Sequence, residues 1–307
     1  MIELLDKPHI RGLSVVFDSS QQLDSDDLAE RAEVSHHVIN DLIDRSLLIE
    51  TDTGIKIGDT RAAREWRRTA QELNHVDLYE VLGRHELLVA SSIGTDEQSR
   101  EELEEELDSE VVEDGLDTLQ LRALVRNTGN DTYAFRQGTV GIGRFARALV
   151  RDEWGDVVRD MNHRAVVLWC SPSSCLALSD DHDGFEESNL WSVTGSARFA
   201  EEGVELLLTE QRLWYYDNHD DVGVEAAAAH KLFEDASVRP QTYVLLVAEA
   251  APAFSINTFQ RHAERLGIDT ALVEMVRHWT EDGELTERYD GGREKLDEKR
   301  AQYGLLD

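Results

Sequence analysis

The sequence predicts a multi-domain protein that mixes α and β structure, of the α+β or α/β class. Its 307 residues suffice for two or three domains, at roughly 100–200 residues per domain. Hydrophobic residues make up 41% of the chain, which is enough to bury a core. Segments with helical periodicity dominate residues 1–160, whereas strand-like and helix-like segments alternate in residues 161–280. We therefore expect a helical N-terminal part and a C-terminal α/β domain.

The first predicted domain, residues 1–75, contains two short helices and a hairpin. Asp24 offers an N-cap for the first of these helices. Ser35 is expected to cap the second helix, residues 36–45, in which apolar residues recur at helical spacing. Two β-like runs follow within residues 47–57 and flank an Asp-Thr-Gly hairpin signal. Helix, turn, helix and hairpin, in this order, are typical of a winged helix.

The next segment, residues 76–160, allows two interpretations. Helix-like stretches at 86–93, 96–108 and 111–125 are followed by a hairpin-like stretch at 127–136. This order repeats that of the first domain and predicts a second, tandem winged helix. The alternative is a helical linker domain.

The C-terminal domain is predicted over residues 161–280, with a charged helix or tail at 281–307. Its apolar runs are short and β-rich, and they alternate with stretches of helix-forming residues. The expected strands are 164–170, 191–193, 203–209, 212–216 and 243–248, and the expected helices are 225–233, 257–267 and 271–279.

The pattern of residues 1–70 resembles that of archaeal winged helix-turn-helix transcriptional regulators of the ArsR, MarR and TrmB type. The stretch 205–217, followed by a helix that ends near Glu234, is similar to the effector-domain hairpin of TrmB-type regulators. The resemblance implies a cytoplasmic regulator that binds double-stranded DNA, responds to a small-molecule effector and forms a homodimer. It implies no catalysis and no cofactor.

The charge of the chain is strongly negative. It has 31 Lys and Arg against 63 Asp and Glu, a formal net charge of −32, and only five of its bases are lysine. An acidic, arginine-rich composition resembles that of proteins from extreme halophiles. Because the Debye length is only about 3 Å at 1 M salt, such acidity does not exclude a nucleic-acid partner. Local departures from the acidic background are therefore the informative feature.

Two neighbouring blocks of the sequence carry opposite charge. Residues 96–117 contain 12 acids and one base, whereas residues 122–151 contain six arginines and one acid. We expect Arg136 and Arg144 to contact phosphates. Arg122 and Arg126, which lie near the start of the second block, are expected to form intramolecular ion pairs.

The residues expected to contact DNA lie on the second helix, on the hairpin and on the helices that follow. Polar side chains at the start of a recognition helix face base edges, and arginines nearby contact phosphates. These residues are Ser35, His36, His37, Asn40 and Arg45 on the helix, Lys56 on the hairpin, and Arg61, Arg64, Arg67, Arg68, Arg136 and Arg144 beyond it.

Two other functions remain open. The acidic loops at 180–183 and 217–221 offer the oxygen ligands of a divalent cation, which favours a metal-dependent nuclease or hydrolase. Acids on the expected recognition helices favour a tandem winged-helix module that binds protein. The spacing of Cys170 and Cys175 does not fit a zinc site. Since every apolar run is strand-sized and residues 1–6 lack a signal pattern, we expect a cytoplasmic protein with no membrane partner.

Overall fold

The computed structural model describes residues 2–19, 21–206, 210–217 and 222–305. The chain divides into two compact units. The first comprises Met1–Asp156 with Cys170–Ser173, and the second comprises Val157–Trp169 with Ser174–Asp307. Among the described residues, no helix combines the length and the apolar character needed to cross a membrane.

The first unit begins with a group of helices around one hairpin. Asp24 caps α2 as expected, because its carboxylate accepts a hydrogen bond from the Asp27 amide at 2.8 Å. A single bridge joins Leu23 to the second strand at Ile55. The elements are α1 (Lys7–Asp18), α2 (Ser25–Ala32), α3 (His36–Asp44), the antiparallel pair β1 (Leu48–Thr51) and β2 (Gly54–Ile57), α4 (Arg61–Glu72) and α5 (Leu78–Val81).

The second half of this unit repeats that order. The short strand Gln98–Ser99 takes the place of the bridge at Leu23, two helices follow, and a hairpin and a longer helix come after them. The elements are α6 (Arg84–Ile93), β3 (Gln98–Ser99), α7 (Arg100–Glu106), α8 (Ser109–Leu121), β4 (Val125–Gly129), β5 (Thr132–Phe135) and α9 (Val140–Met161), with the three strands in the order β3-β5-β4. We call residues 7–72 the first repeat and residues 84–156 the second repeat.

The correspondence extends to backbone hydrogen bonds at the ends of α3 and α8. Each helix is followed by a residue with positive φ, Ser46 (φ 55) or Ala123 (φ 57). The next amide then reaches back to a helix carbonyl: Leu47 N donates to Leu42 O, and Leu124 N donates to Leu119 O, both at 2.9 Å. The two ends are 77 positions apart. This offset aligns the repeats residue by residue over α3 and α8.

The two repeats pack on each other through α4 and α9. The fully buried rings of Trp66 and Phe145 lie 5.1 Å apart between centroids. Nearby, the buried hydroxyl of Thr69 donates to the carbonyl of Gly141 at 2.9 Å. Apolar packing between the two helices, together with a satisfied polar contact, therefore joins the repeats.

The second unit combines a small sheet with a group of helices. The four strands lie in the order β6-β7-β9-β8, and β9 pairs antiparallel with both β7 and β8. The elements are β6 (Val166–Cys170), β7 (Ser174–Ser179), α10 (Asp183–Glu187), β8 (Trp191–Thr194), a 3₁₀ helix (Gly195–Glu202), β9 (Arg212–Asp217), α11 (Val224–Glu234), α12 (Val238–Ala250), α13 (Ile256–Leu266), α14 (Thr270–Asp282) and α15 (Arg293–Gln302).

The expected strand at 243–248 is wrong, because these residues lie inside α12. Residues 244–247 are completely buried, so the run is apolar on all sides and carries no period that separates a strand from a core helix. Of the strand expected at 203–209, residues 207–209 lie outside the described residues, and 204–206 are not in a strand. The described helices of this unit therefore follow the sheet rather than alternate with it, which is an α+β arrangement.

Candidate nucleic-acid interface

The exposed face of α3 carries small polar side chains. His36, His37 and Asn40 are exposed, whereas Ile39 and Leu42 on the opposite face are fully buried. The first turn of the helix contains no acidic residue. Apolar residues at positions i and i+3 hold the helix to the unit and leave its polar face open to a partner.

Ser35 occupies the N-cap position of α3, as the sequence predicts. Its backbone is extended (φ −75, ψ 156), but its side chain makes no capping hydrogen bond. The next side chain, His36, instead contacts α2, with 2.8 Å between its Nε2 and Oδ1 of Asp26. Both side chains of this pair are more than half exposed, so the contact is open to exchange with another partner.

The β1–β2 hairpin of the first repeat carries one exposed basic residue. Lys56 is exposed on β2 and lies opposite Ile49 in the register of the pair. The turn is closed by the hydroxyl of Thr51, which donates to the carbonyl of Gly54 at 2.7 Å. Gly54 adopts a φ of 128, and its Cβ position lies 2.7 Å from the Leu23 carbonyl, so glycine is required there.

Arg45, which the sequence predicts on DNA, is only partly exposed and is paired within the unit. Its guanidinium forms ion pairs with Asp41 at 2.8 Å and with Glu153 on α9, and it donates to the Glu3 carbonyl at 3.2 Å. Burial lowers the pKa of Arg45, but the carboxylates of Glu153 and Asp41 outweigh burial and raise it overall. The guanidinium is occupied inside the unit.

Of the four arginines of α4, three bind carbonyls or carboxylates of the protein. Arg67 donates to the carbonyls of Ile57 at 2.7 Å and Gly58 at 2.8 Å, so it secures the end of the hairpin. Arg64 donates to the Asp59 carbonyl at 3.0 Å, and Arg68 pairs with Glu72 at 2.9 Å. Arg61 is exposed and has no ion pair among the residues that the structure describes.

The arginine block of 122–151 is used differently from the expectation. Arg144, expected on phosphate, pairs with Glu65 at 3.4 Å and Glu72 at 3.1 Å, because α9 packs along α4. Arg122 and Arg126, expected in ion pairs, are exposed and have none within the described ranges. Arg136 is likewise exposed. A basic side chain on the second hairpin, Arg136, is therefore available to a partner, whereas Arg144 on α9 is already paired.

The two repeats present opposite chemistry on equivalent helix faces. With the offset of 77 positions, His36, His37 and Asn40 of α3 correspond to three acids on α8, which are Glu113, Asp114 and Asp117. All six are exposed, and the buried positions match as well: Ile39 corresponds to Leu116, and Leu42 to Leu119. The sequence contains this contrast, but only the aligned helix ends reveal which positions to compare.

The acids Asp180 and Asp181 of the loop at 180–183 are engaged in contacts within the second unit. Asp180 lies 3.7 Å from Arg164, and the Oδ1 of Asp181 accepts from the Asp183 amide at 3.3 Å. No group of three or more His, Cys, Asp or Glu side chains within the described part of the chain is arranged to hold a metal ion. Of the other acidic loop, residues 218–221 lie outside the described residues.

The second unit also contains a concave site. Its volume is about 280 Å³, and its walls combine hydroxyl, cationic and aromatic side chains, among them Thr194, Lys231, Arg239 and Tyr243. Trp191 and Trp214 do not line this site, because they are buried against the ring of Phe185, with centroids 5.1 Å and 5.2 Å away. These rings belong to core packing.

Comparison with known proteins identifies one similarity. Residues 188–305 match the model of a family described as HVO_2833_C, C-terminal. No curated protein and no solved structure matches the chain. The comparisons show no regulator family of the ArsR, MarR or TrmB type. The family has a haloarchaeal name, which fits the acidic, arginine-rich composition, so the second unit contains a domain similar to a haloarchaeal C-terminal family.

Proposed function

We propose that this protein is a cytoplasmic transcriptional regulator that binds double-stranded DNA through α3 and the β1–β2 hairpin of the first repeat, as a winged helix does. The observation that carries the proposal is the contrast between the two repeats. In a chain of net charge −32, the exposed start of α3 carries His36, His37 and Asn40, whereas the equivalent positions of α8 carry three acids. A helix that enters a groove between phosphates must keep carboxylates away from its leading face.

The chemistry of the α3 face suits base edges. An asparagine amide both donates and accepts, and it pairs with the N6 and N7 atoms of adenine in the major groove. Imidazole can donate to the acceptor atoms of guanine or thymine. We assign direct base contact to His37 and Asn40, and we assign to His36 a contact that replaces its pairing with Asp26.

Basic side chains next to this face would bind phosphates, and they would fix the position of the helix without contributing to sequence recognition. Lys56 on the hairpin and Arg61 at the start of α4 are exposed and unpaired among the described residues. Arg45, Arg64, Arg67, Arg68 and Arg144 are excluded from the DNA-contacting set, because their guanidinium groups already bind carboxylates or carbonyls of the protein.

The second unit would supply regulation. Its 280 Å³ site has the size of a small metabolite, and its mixture of hydroxyl, aromatic and cationic groups suits a polar organic effector. The enzyme alternative has no comparable support, since the described part of loop 180–183 uses its acids in local contacts.

The test is selection of bound duplexes from a random pool by the full chain in about 2 M KCl, followed by fluorescence anisotropy with the enriched sequence. His37→Ala/Asn40→Ala should weaken specific binding by about 1–3 kcal/mol per lost base contact. The matched control is Asp114→Ala, which removes the side chain of the second repeat that is equivalent to His37 and should not weaken binding. Equal affinities of the parent and the α3 variant would remove this helix from the interface.

A further inference from the structure

We infer that the second repeat is a homodimerisation module, in which α8 of one copy faces the β4–β5 hairpin of a second copy of this chain. The inference rests on the exposed side chains of this repeat and does not require the proposed DNA contacts. We call the set Glu113, Asp117, Leu121, Arg122, Arg126 and Arg136 the α8–hairpin surface.

One end of this surface is acidic. Glu113, Asp117 and Leu121 follow each other at intervals of four residues, so they form one stripe along the exposed side of α8. Neither Glu113 nor Asp117 has a salt bridge among the described residues, in contrast to Asp114, which lies 3.3 Å from His85. The stripe therefore offers a partner two carboxylates that form no salt bridge within the described residues.

The other end is basic. Arg122 caps α8, and Arg126 lies opposite Ala134 in the β4–β5 register. Arg136 follows Ala134 by two residues along the chain. Because alternate side chains of a strand point to the same face, Arg136 shares a face of the hairpin with Arg126. All three arginines are exposed and have no ion pair in the described ranges. They are the part of the arginine block that the fold itself does not use.

An apolar residue separates the two ends. The side chain of Leu121 is 83% exposed, the largest exposure among the large apolar residues of the described chain. It lies one turn after Asp117 and directly before Arg122. Exposure of a leucine at the junction of opposite charges is typical of the centre of a small interface with a polar rim.

This order makes the surface complementary to itself. In a two-fold dimer each copy contributes the same patch, so an axis beside Leu121 brings the two leucines together. The same axis places the acidic end of one copy against the basic end of the other, twice. DNA is a poor occupant of this surface, because Glu113 and Asp117 would face phosphates. In molar salt, with a Debye length of about 3 Å, direct contact pairs persist while long-range repulsion between acidic copies is screened.

The experiment is sedimentation equilibrium of the full chain in about 2 M KCl, over protein concentrations from about 1 to 100 µM. The parent should be a dimer in this range. Glu113→Arg/Asp117→Arg and Arg126→Asp/Arg136→Asp each place like charges together at both symmetric contacts, and each should raise the dissociation constant at least about tenfold. Glu105→Arg, an exposed charge reversal on α7, is the matched control and should leave the dimer intact.

The decisive readout is rescue. An equimolar mixture of the two reversed proteins contains one native and one swapped set of contacts, and it should form heterodimers of parental affinity. The chain that carries all four substitutions should dimerise with itself. Rescue also shows that each variant is folded. A monomeric parent, or variants whose mixture stays monomeric, would overturn the inference, whereas loss of DNA binding by a dimeric protein would count only against the DNA proposal.

Discussion

Arg45 and Glu153 form an ion pair that joins the end of α3 to α9, across 108 positions of sequence. Only 20% of each side chain is exposed, and Asp41 holds the other edge of the guanidinium at 2.8 Å. Because Arg45 is also the last residue before the turn at Ser46, the pair fixes the end of the proposed recognition helix against the second repeat. The orientation of α3 therefore depends on a residue of the other repeat.

Removing one partner of this pair should destabilise the first unit. Arg45→Ala leaves the carboxylates of Glu153 and Asp41 without their cation, and because the pair is only partly buried the cost should lie below the value of about 3–5 kcal/mol for a fully buried pair. Arg45→Ala/Glu153→Ala should cost less than the sum of the single variants. Urea unfolding of the four proteins gives the coupling energy, and strict additivity would show that the pair does not hold the helix.

The salt dependence of DNA affinity should distinguish basic residues that contact phosphates from basic residues that only stabilise the fold. Lys56→Ala and Arg61→Ala should each flatten the slope of log K against log salt by about 0.9. Arg144→Ala should leave the slope unchanged and lower the free energy of unfolding, because its partners are Glu65 and Glu72. Anisotropy titrations from about 0.5 to 3 M KCl measure both. A flatter slope for Arg144→Ala would return that residue to the interface.

The buried imidazole of His230 should make the second unit sensitive to acid. Burial, with smaller contributions from His262 and Arg265, lowers the pKa of His230 to about 3, and its Nδ1 lies 2.9 Å from the Thr194 hydroxyl. The unfolded chain binds this proton near pH 6.5, so stability is complete above that pH and is lost as pH falls towards 3.

The expected loss is about 1.4 kcal/mol per pH unit within this window. His230→Gln keeps a polar side chain without a titrating proton, and its unfolding free energy should fall less steeply with acid than that of the parent. His37→Gln, at an exposed histidine, is the control. Parallel curves for the parent and His230→Gln would show that His230 is not titrated on unfolding.

Gly115 should not tolerate alanine, although alanine favours helices. A Cβ at this position would lie 2.6 Å from Cγ2 of Val89 and 2.9 Å from the carbonyl oxygen of His85 on α6. Overpacking costs about 1–3 kcal/mol, more than the propensity gain of about 1 kcal/mol. Thermal unfolding should therefore show a lower Tm for Gly115→Ala, whereas Glu105→Ala at an exposed position of α7 should change it little. A higher Tm for Gly115→Ala would mean that α6 and α8 are less closely packed.

Local patterns predicted the elements whose two faces differ. The helix expected at 36–45 is α3 at His36–Asp44, because alternation of apolar and polar residues at helical spacing identifies a half-buried helix. The same method fails for Tyr243–Ala248, which lies in a helix buried on all sides. Periodicity requires contrast between faces, and this core helix has none.

The candidate interface was predictable where it depends on exposure alone. His37, Asn40 and Lys56 are exposed at the expected places. The ion pairs of Arg45 and Arg144 were not predictable, because the partner carboxylates Glu153, Glu65 and Glu72 are 108, 79 and 72 positions away in the sequence. A distant ion pair leaves no local pattern, so a free arginine and an occupied one look alike before the chain is folded.

The backbone match at Ser46 and Ala123 means that α3 and α8 present equivalent positions on the same local scaffold. Where two copies keep one scaffold, the side chains of one can be transplanted into the other without redesign of the support. Replacing Glu113, Asp114 and Asp117 by the histidines and asparagine found 77 positions earlier would give α8 the same exposed polar side chains as α3. Under the proposed function, a chain altered in this way would carry two DNA-contacting helices and should select a longer operator than the parent does.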